Sequence, residues 1–178
     1  MTHRLARLAG TLIVLAIAIH PAFAQSPGVK VDRPLVDGLE IVTGLMEFDL
    51  SGTGTTIPVS IRATMPITRR LGLEVGATMA APQQQSGSST FVAPEAHLRY
   101  SWRLGAVEPF IVGGGGLSMT RVGLGNTRWE PAFSGGGGMK VHLDDRIYLI
   151  GEMRLRGIAE NFSGSTAEWL GGIGWKLW

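Results

Sequence analysis

An alternation of period two, recurring along nearly all of the chain after residue 24, is the feature that most constrains its fold. Ile57, Val59, Ile61, Ala63 and Met65 alternate with Pro58, Ser60, Arg62 and Thr64. Leu71, Leu73, Val75, Ala77 and Met79 alternate with Gly72, Glu74, Gly76 and Thr78. Val92, Pro94, Ala96, Leu98, Tyr100 and Trp102 do so with Ala93, Glu95, His97, Arg99 and Ser101. Ile147, Leu149, Gly151, Met153 and Leu155 do so with Tyr148, Ile150, Glu152, Arg154 and Arg156. Successive side chains of a strand point to opposite faces, so each segment has one apolar and one polar face. Weaker segments keep the same parity. Leu39–Leu50 sets Val42, Gly44, Met46, Phe48 and Leu50 opposite Thr43, Glu47 and Asp49. Val107–Met119 and Phe133–Leu143 are glycine-rich, but Val107, Pro109, Ile111 and Leu117, and then Phe133, Met139, Val141 and Leu143, stay in phase. Ala167–Leu177 sets Ala167, Trp169, Gly171, Ile173, Trp175 and Leu177 opposite Glu168 and Lys176. No helical period of comparable clarity appears, and the chain reads as all-β.

The pattern predicts eight strands, mostly 9 to 13 residues long. A membrane-crossing strand needs about 9–11 residues, whereas strands of ordinary globular proteins run nearer five or six. The connections alternate in length. Thr68–Arg70, Arg103–Ala106 and Asp144–Arg146 are tight, while Ser51–Thr56, Ala80–Thr90, Thr120–Arg128 and Gly157–Thr166 are longer and polar. Short turns at one end and long loops at the other are the asymmetry of an outer-membrane barrel. The expected architecture is an eight-stranded antiparallel up-and-down transmembrane β-barrel, with both chain ends on the short-turn, periplasmic side.

A continuous apolar face needs lipid or a second sheet to cover it, and closure removes the strand edges that hydrocarbon cannot satisfy. The polar faces then point inward. They carry Glu47, Asp49, Glu74, Glu95, Glu108, Glu152 and Glu168 against Arg62, Arg99, Lys140, Arg154, Arg156 and Lys176, with His97 and His142 beside them. Eight strands leave an interior just wide enough for side chains to fill, and an unpaired buried charge is costly. An interior ion-pair network is therefore expected, built on Glu47, Arg62, Glu74, Glu95, Arg99, Lys140, Glu152, Arg154 and Arg156 and closed to free diffusion. Glu152 is expected to pair with Arg99 or Arg62.

Aromatic rings favour the headgroup level of a bilayer. Tyr100, Trp102 and Trp175 fall at the short-turn end, and Phe48, Phe91, Trp129 and Trp169 near the long loops. Tyr100, Trp102, Trp129, Trp169 and Trp175 are the expected girdle residues. Gly113–Gly116 and Gly135–Gly138 are not followed by Lys-Ser/Thr or by a helix, so they read as positions of bending and close packing rather than a phosphate loop.

The N-terminus is an address label. Arg4 and Arg7 precede the apolar run Leu8–Ile19, which His20-Pro21 breaks before Ala22-Phe23-Ala24. These are the three parts of a secretory signal peptide with cleavage expected after Ala24. The run is too short to span a bilayer as a helix. Residues 25–38 form a periplasmic lead-in and residues 39–178 the barrel. The formal net charge is +2, and removing Arg4 and Arg7 brings it to zero, which leaves no basic stripe for nucleic acid. With no cysteine, a disulfide scaffold, a thiolate metal site and a cysteine nucleophile are excluded.

The last strand, Gly172-Ile173-Gly174-Trp175-Lys176-Leu177, resembles the assembly signal of small outer-membrane β-barrels of the OmpA/OmpX type. Pro109–Gly116 and Ser134–Val141 resemble that family's glycine-rich central strands, and the resemblance spans Leu39–Trp178. It implies a C-terminal signal of Gly172, Trp175, Leu177 and Trp178, with the family's final aromatic aligned on Leu177. The implied partners are outer-membrane lipid and, during biogenesis, periplasmic chaperones and the barrel-assembly machinery.

The chain carries few signals of catalytic or metal chemistry. His97 and His142 lack metal-ligand spacing, and no cofactor is expected. A lipid A-modifying hydrolase would need a serine activated by histidine at the lipid-facing wall. Neither histidine has a serine two residues on, and Ser101 lies about 13 Å along the strand from His97. Asn161-Phe162-Ser163 matches a glycosylation sequon that carries no information on a bacterial-style export route. The loops offer little charge beyond Arg121, Arg128, Glu130 and Glu160 and so name no extracellular ligand. The expected role is structural or interaction-based. The rival is a soluble lipocalin-like barrel, with its apolar face lining a cavity and its charged face in water.

Overall fold

The computed structural model describes residues 35–48, 54–81, 83–84, 87–122, 127–158 and 164–177. The expected signal peptide, most of the lead-in, Asp49, the sequon and Trp178 lie outside them. Among the described residues ten strands form in chain order: β1 (Gly38–Phe48), β2 (Gly54–Thr56), β3 (Val59–Pro66), β4 (Leu71–Ala80), β5 (Gln83–Gln84), β6 (Gly87–Ser101), β7 (Val107–Val122), β8 (Thr127–His142), β9 (Ile147–Ile158) and β10 (Gly164–Lys176). Eight are staves of a closed antiparallel barrel, ordered β1-β3-β4-β6-β7-β8-β9-β10, with β10 pairing back onto β1. β2 and β5 are short additions to β1 and β6 at the long-loop end. Three staves exceed the expected length. β6 has 15 residues and β7 and β8 have 16 each, because strand pairing continues into segments whose polar composition reads as loop.

The ladder fixes the barrel's geometry. From Gly38 the pairing runs to Thr64, Glu74, His97, Gly114, Ser134, Arg156, Thr166 and back to β1 at Phe48, a displacement of ten residues per circuit. With strands about 4.8 Å apart and a rise near 3.3 Å per residue, that stagger tilts the staves by roughly 40°. Each residue then climbs the axis by roughly 2.5 Å.

Tight turns close the other end. Thr68 Oγ1 accepts the amides of Arg70 (3.2 Å) and Leu71 (3.0 Å). Gly105 adopts φ +67°, a left-handed conformation that disfavours any side chain, and lets Leu104 and Val107 exchange backbone hydrogen bonds at 2.7 and 3.2 Å. Asp144 accepts the amides of Arg146 (2.7 Å) and Ile147 (2.6 Å), which hold its pKa below the usual aspartate range.

Seven staves show the face assignment expected from their pattern. In β1 it is reversed. Glu40, Val42 and Met46 are fully buried, while Leu39, Ile41 and Leu45 are exposed. Both faces of this stretch are rich in apolar residues, so alternation alone cannot choose between them. Register chooses: Glu40 pairs with Gly174 and Met46 with Glu168, which puts the even positions of β1 level with the inward positions of β10. Glu47, expected inside, is instead paired with Ala167 on the outer face. Phe48 and Phe91, expected near a lipid interface, meet edge-to-face at 5.3 Å in an inward cluster with Met46, Ala93 and Ile158.

Candidate functional site

The inward face carries the unusual chemistry of this chain. Glu40, Glu74, Glu95, Glu152 and Glu168 are buried together with Arg62, Arg99, Lys140, Arg154, Arg156 and His97. Acids and fixed cations are equal in number among these described residues, so each charge can be compensated without a solvent counterion.

Glu40 organises the network nearest the short turns. Its carboxylate takes a fork from Arg99 at 2.5 and 2.8 Å, Lys140 Nζ at 2.9 Å and the Tyr148 hydroxyl at 2.9 Å. Arg99 also donates to Glu74, which accepts Arg154 Nη2 at 2.6 Å. Glu152 accepts Arg154 Nε at 2.8 Å and lies 2.6 Å from Arg62 Nη1. The Arg62 contact is charge proximity rather than an aligned hydrogen bond, since Nη1 and Nη2 meet no acceptor in hydrogen-bond geometry among the described residues. Of the two expected partners of Glu152, Arg62 stands beside it, and Arg154, not anticipated, completes the pair.

The second network sits nearer the long loops. Arg156 reaches Glu95 at 2.7 and 3.0 Å with Nη2 and Nε, and donates to Glu168 and to Thr166 (3.2 Å) through Nη1. Cations also lie over rings: Arg99 over Phe110 and Lys140 over Tyr148, both at 4.6 Å, and Arg156 over Phe91 at 5.6 Å.

Space for these long side chains comes from inward glycines. A Cβ at Gly76 would stand 2.7 Å from Arg62 Cγ, and one at Gly138 would meet Glu152 Cβ at 2.7 Å and Phe110 Cζ at 2.8 Å. A Cβ at Gly174 would run into the Tyr148 ring. Alternating large and empty positions lets a narrow barrel hold five fixed cations.

One cluster was missed by reading spacing along the chain. His97 Nε2 lies 2.6 Å from Ser134 Oγ, which donates to Glu95 Oε1 at 3.0 Å. His97 and Ser134 are 37 residues apart and both stand across from Gly114, so barrel register brings them together. The trio has the membership of a hydrolase triad but not its proton pattern. The serine proton is committed to Glu95, and Arg154 Nη1 approaches His97 Nδ1 at 3.5 Å. That leaves the imidazole donating to the serine instead of accepting from it, the reverse of nucleophile activation. Among the described residues no group of three or more His, Asp or Glu is placed to hold a metal ion.

Glu108, His142 and Lys176 lie at the short-turn mouth, where Glu108 Oε2 meets His142 Nε2 at 2.9 Å. Tyr100 and Trp102 touch edge-to-face at 4.8 Å. Trp129 and Trp169 are both exposed on the outer face, but counting along the ladder puts Trp129 roughly 14 Å higher on the axis than Trp169. They do not share a level, because tilt and stagger move residues of different staves apart in a way sequence position does not show. In β10, Gly172 packs against Val42, Trp175 pairs with Leu39 and Ile147, and the Leu177 amide donates to Asp37 O at 3.0 Å.

The closed eight-stave barrel is similar in fold to Neisserial surface protein A, with a TM-score of 0.70 at 15% identity over 79% of this chain and 96% of that one. The fold is that of the small outer-membrane barrels. The N-terminal β-barrel domain of Pseudomonas aeruginosa OprF gives a TM-score of 0.54 at 12% identity, covering 78% of this chain and 96% of its own. Ail, the attachment invasion locus protein of Yersinia pestis, gives 0.51 at 10% identity, covering 80% and 97%. No protein-family model and no curated protein matches the sequence.

Proposed function

We propose that this chain is an integral outer-membrane protein, exported by a cleaved signal peptide, whose role is structural or interaction-based rather than enzymatic. The observation that carries the reading is an inside-out distribution around the closed barrel. Ile41, Leu45, Ile61, Leu98, Ile111, Phe133, Leu149 and Leu155 are each at least 44% exposed, while Arg154, Arg156, Glu74 and Glu168 are at most 2% exposed. A soluble lipocalin-like barrel needs the opposite arrangement, and water would not sustain an apolar belt on every stave. Counted along the ladder, the belt from Ile147 and Trp175 to Leu117 and Phe133 spans about ten residues, or roughly 25 Å, the height of the apolar band of outer-membrane barrels.

Within this reading the interior is closed to steady flow, supported by the two ion-pair networks and by the Phe48/Phe91 cluster above them. Partners are membrane lipid, the chaperones and assembly machinery of biogenesis, and a ligand met by the long-loop end, where Trp129 is 56% exposed and Arg128 pairs with Glu130 at 2.9 Å. Adhesion through that end is the finer form of the proposal, in keeping with the attachment named for Ail.

Two measurements test it. Folded protein is expected in the outer-membrane fraction and to change mobility on SDS gels when boiled. Recovery as soluble periplasmic protein without such a shift would defeat the membrane reading. Reconstituted in planar bilayers, it is expected to show no large steady conductance, and a stable channel of porin size would defeat the closed interior.

A further inference from the structure

The mouth of the barrel at the short-turn end holds a cavity of about 240 Å³, and its walls are unevenly charged. Arg69, Arg70, Arg103 and Lys176 line its rim, and Arg99 and Lys140 form its inner wall, against Asp37 and Glu108. Both acids are hydrogen-bonded by groups that leave their charge in place, and that charge reaches Lys176 on the rim. Asp37 Oδ1 accepts the Thr64 hydroxyl at 2.9 Å, and Glu108 is engaged by His142. The two inner cations are spent on Glu40 below them. None of the four rim cations makes an ion pair with a described residue. His142, whose side chain is 5% exposed, also lines the cavity, and its Nδ1 has no hydrogen-bond partner among the described residues. A buried polar atom without a partner, beside four rim cations that outnumber the two acids, marks a place where a bound group would complete the hydrogen bonding.

We propose that this mouth is an anion-binding vestibule for a phosphate group, carried by a small solute or by a phospholipid headgroup. Guanidinium forks suit phosphate oxygens, an ammonium adds a point charge, and an imidazole nitrogen supplies a further donor or acceptor to a partly protonated phosphate. The low-dielectric barrel wall strengthens the attraction by focusing the field of the cations into the opening. The vestibule depends on the barrel's geometry alone and would exist in micelles as well as in a membrane.

Inorganic phosphate titrated into the refolded protein in uncharged detergent, followed by calorimetry or ³¹P line broadening, is expected to show saturable one-to-one binding that weakens as salt is raised. Arg103→Gln combined with Lys176→Gln is expected to weaken it at least tenfold, and Arg128→Gln at the opposite end to leave it unchanged. The boiling-dependent gel shift checks that each variant is folded, and Arg103→Gln alone, in an exposed turn, serves if the double variant is not. In phosphatidylcholine nanodiscs, loss of phosphate binding on adding phosphatidylglycerol assigns the site to a headgroup, and persistence assigns it to a free solute. Absence of saturable binding, equal response to chloride, or binding indifferent to Arg103 and Lys176 would overturn the proposal.

Discussion

Replacing Glu40 by alanine is expected to destabilise the folded barrel by about 3–5 kcal/mol, the range for removing one member of a buried ion pair. Its carboxylate is fully buried and accepts Arg99, Lys140 and Tyr148. Without it Lys140 keeps no ion pair within 4 Å among the described residues and only the weaker attraction of its cross-strand neighbour Glu108, whereas Arg99 keeps Glu74. Urea unfolding in lipid vesicles, followed by tryptophan fluorescence, reads the change. The second substitution Lys140→Met is expected to recover part of the loss, because an apolar side chain removes the stranded charge and fills its volume. Glu47→Ala, on the outer face, is expected to stay within about 0.5 kcal/mol of the parent. A barrel tolerant of Glu40→Ala but damaged by Glu47→Ala would mean that β1 is rotated by one residue.

An arginine at Val75 is expected to cost roughly 2–4 kcal/mol, the penalty for a cation on the lipid face near the bilayer midplane. Val75 lies between Ala63 and Ala96 on the outer face, about half-way up the apolar belt, and the adjacent Glu74 is 1% exposed on the inside. Because the chain has no cysteine, single labels at Val75→Cys and Glu74→Cys are clean. A lipid-soluble quencher is expected to dim the probe at position 75 strongly and the probe at 74 weakly. An unaffected probe at 75, with the one at 74 open to water-soluble quenchers, would turn the sheet around and remove the membrane reading.

Much of the fold was legible because a strand writes its two faces into every second residue. β3, β4, β6 and β9 carry charge on one parity and aliphatic side chains on the other, so their inward residues Arg62, Glu74, Glu95, Arg99, Glu152, Arg154 and Arg156 could be named from the sequence. β1 failed for the same physical reason. Leu39, Ile41 and Leu45 on one parity and Val42, Met46 and Phe48 on the other give two apolar faces, and the strand's two acids disagree, Glu40 at its start lying on the inward parity and Glu47 near its end on the outward one. The ends of β6, β7 and β8 were also hidden, since Ser, Thr and Gly there pair as strand only because a neighbour is present to pair with.

The alternation, the loop asymmetry and the charge balance by themselves determined an all-β barrel, its eight staves, and the inward direction of most charges. These are local or additive properties, fixed by which residues are neighbours in the chain. Which charges meet was decided only by the tertiary structure. The ten-residue stagger brings Glu40 of β1 to Arg99 of β6, His97 to Ser134, and Arg156 of β9 to Glu95 of β6. It also separates Trp129 from Trp169. Stagger belongs to the closed ring as a whole, set by the joint fit of eight registers and of glycine gaps to bulky cations, and no single segment of the sequence contains it.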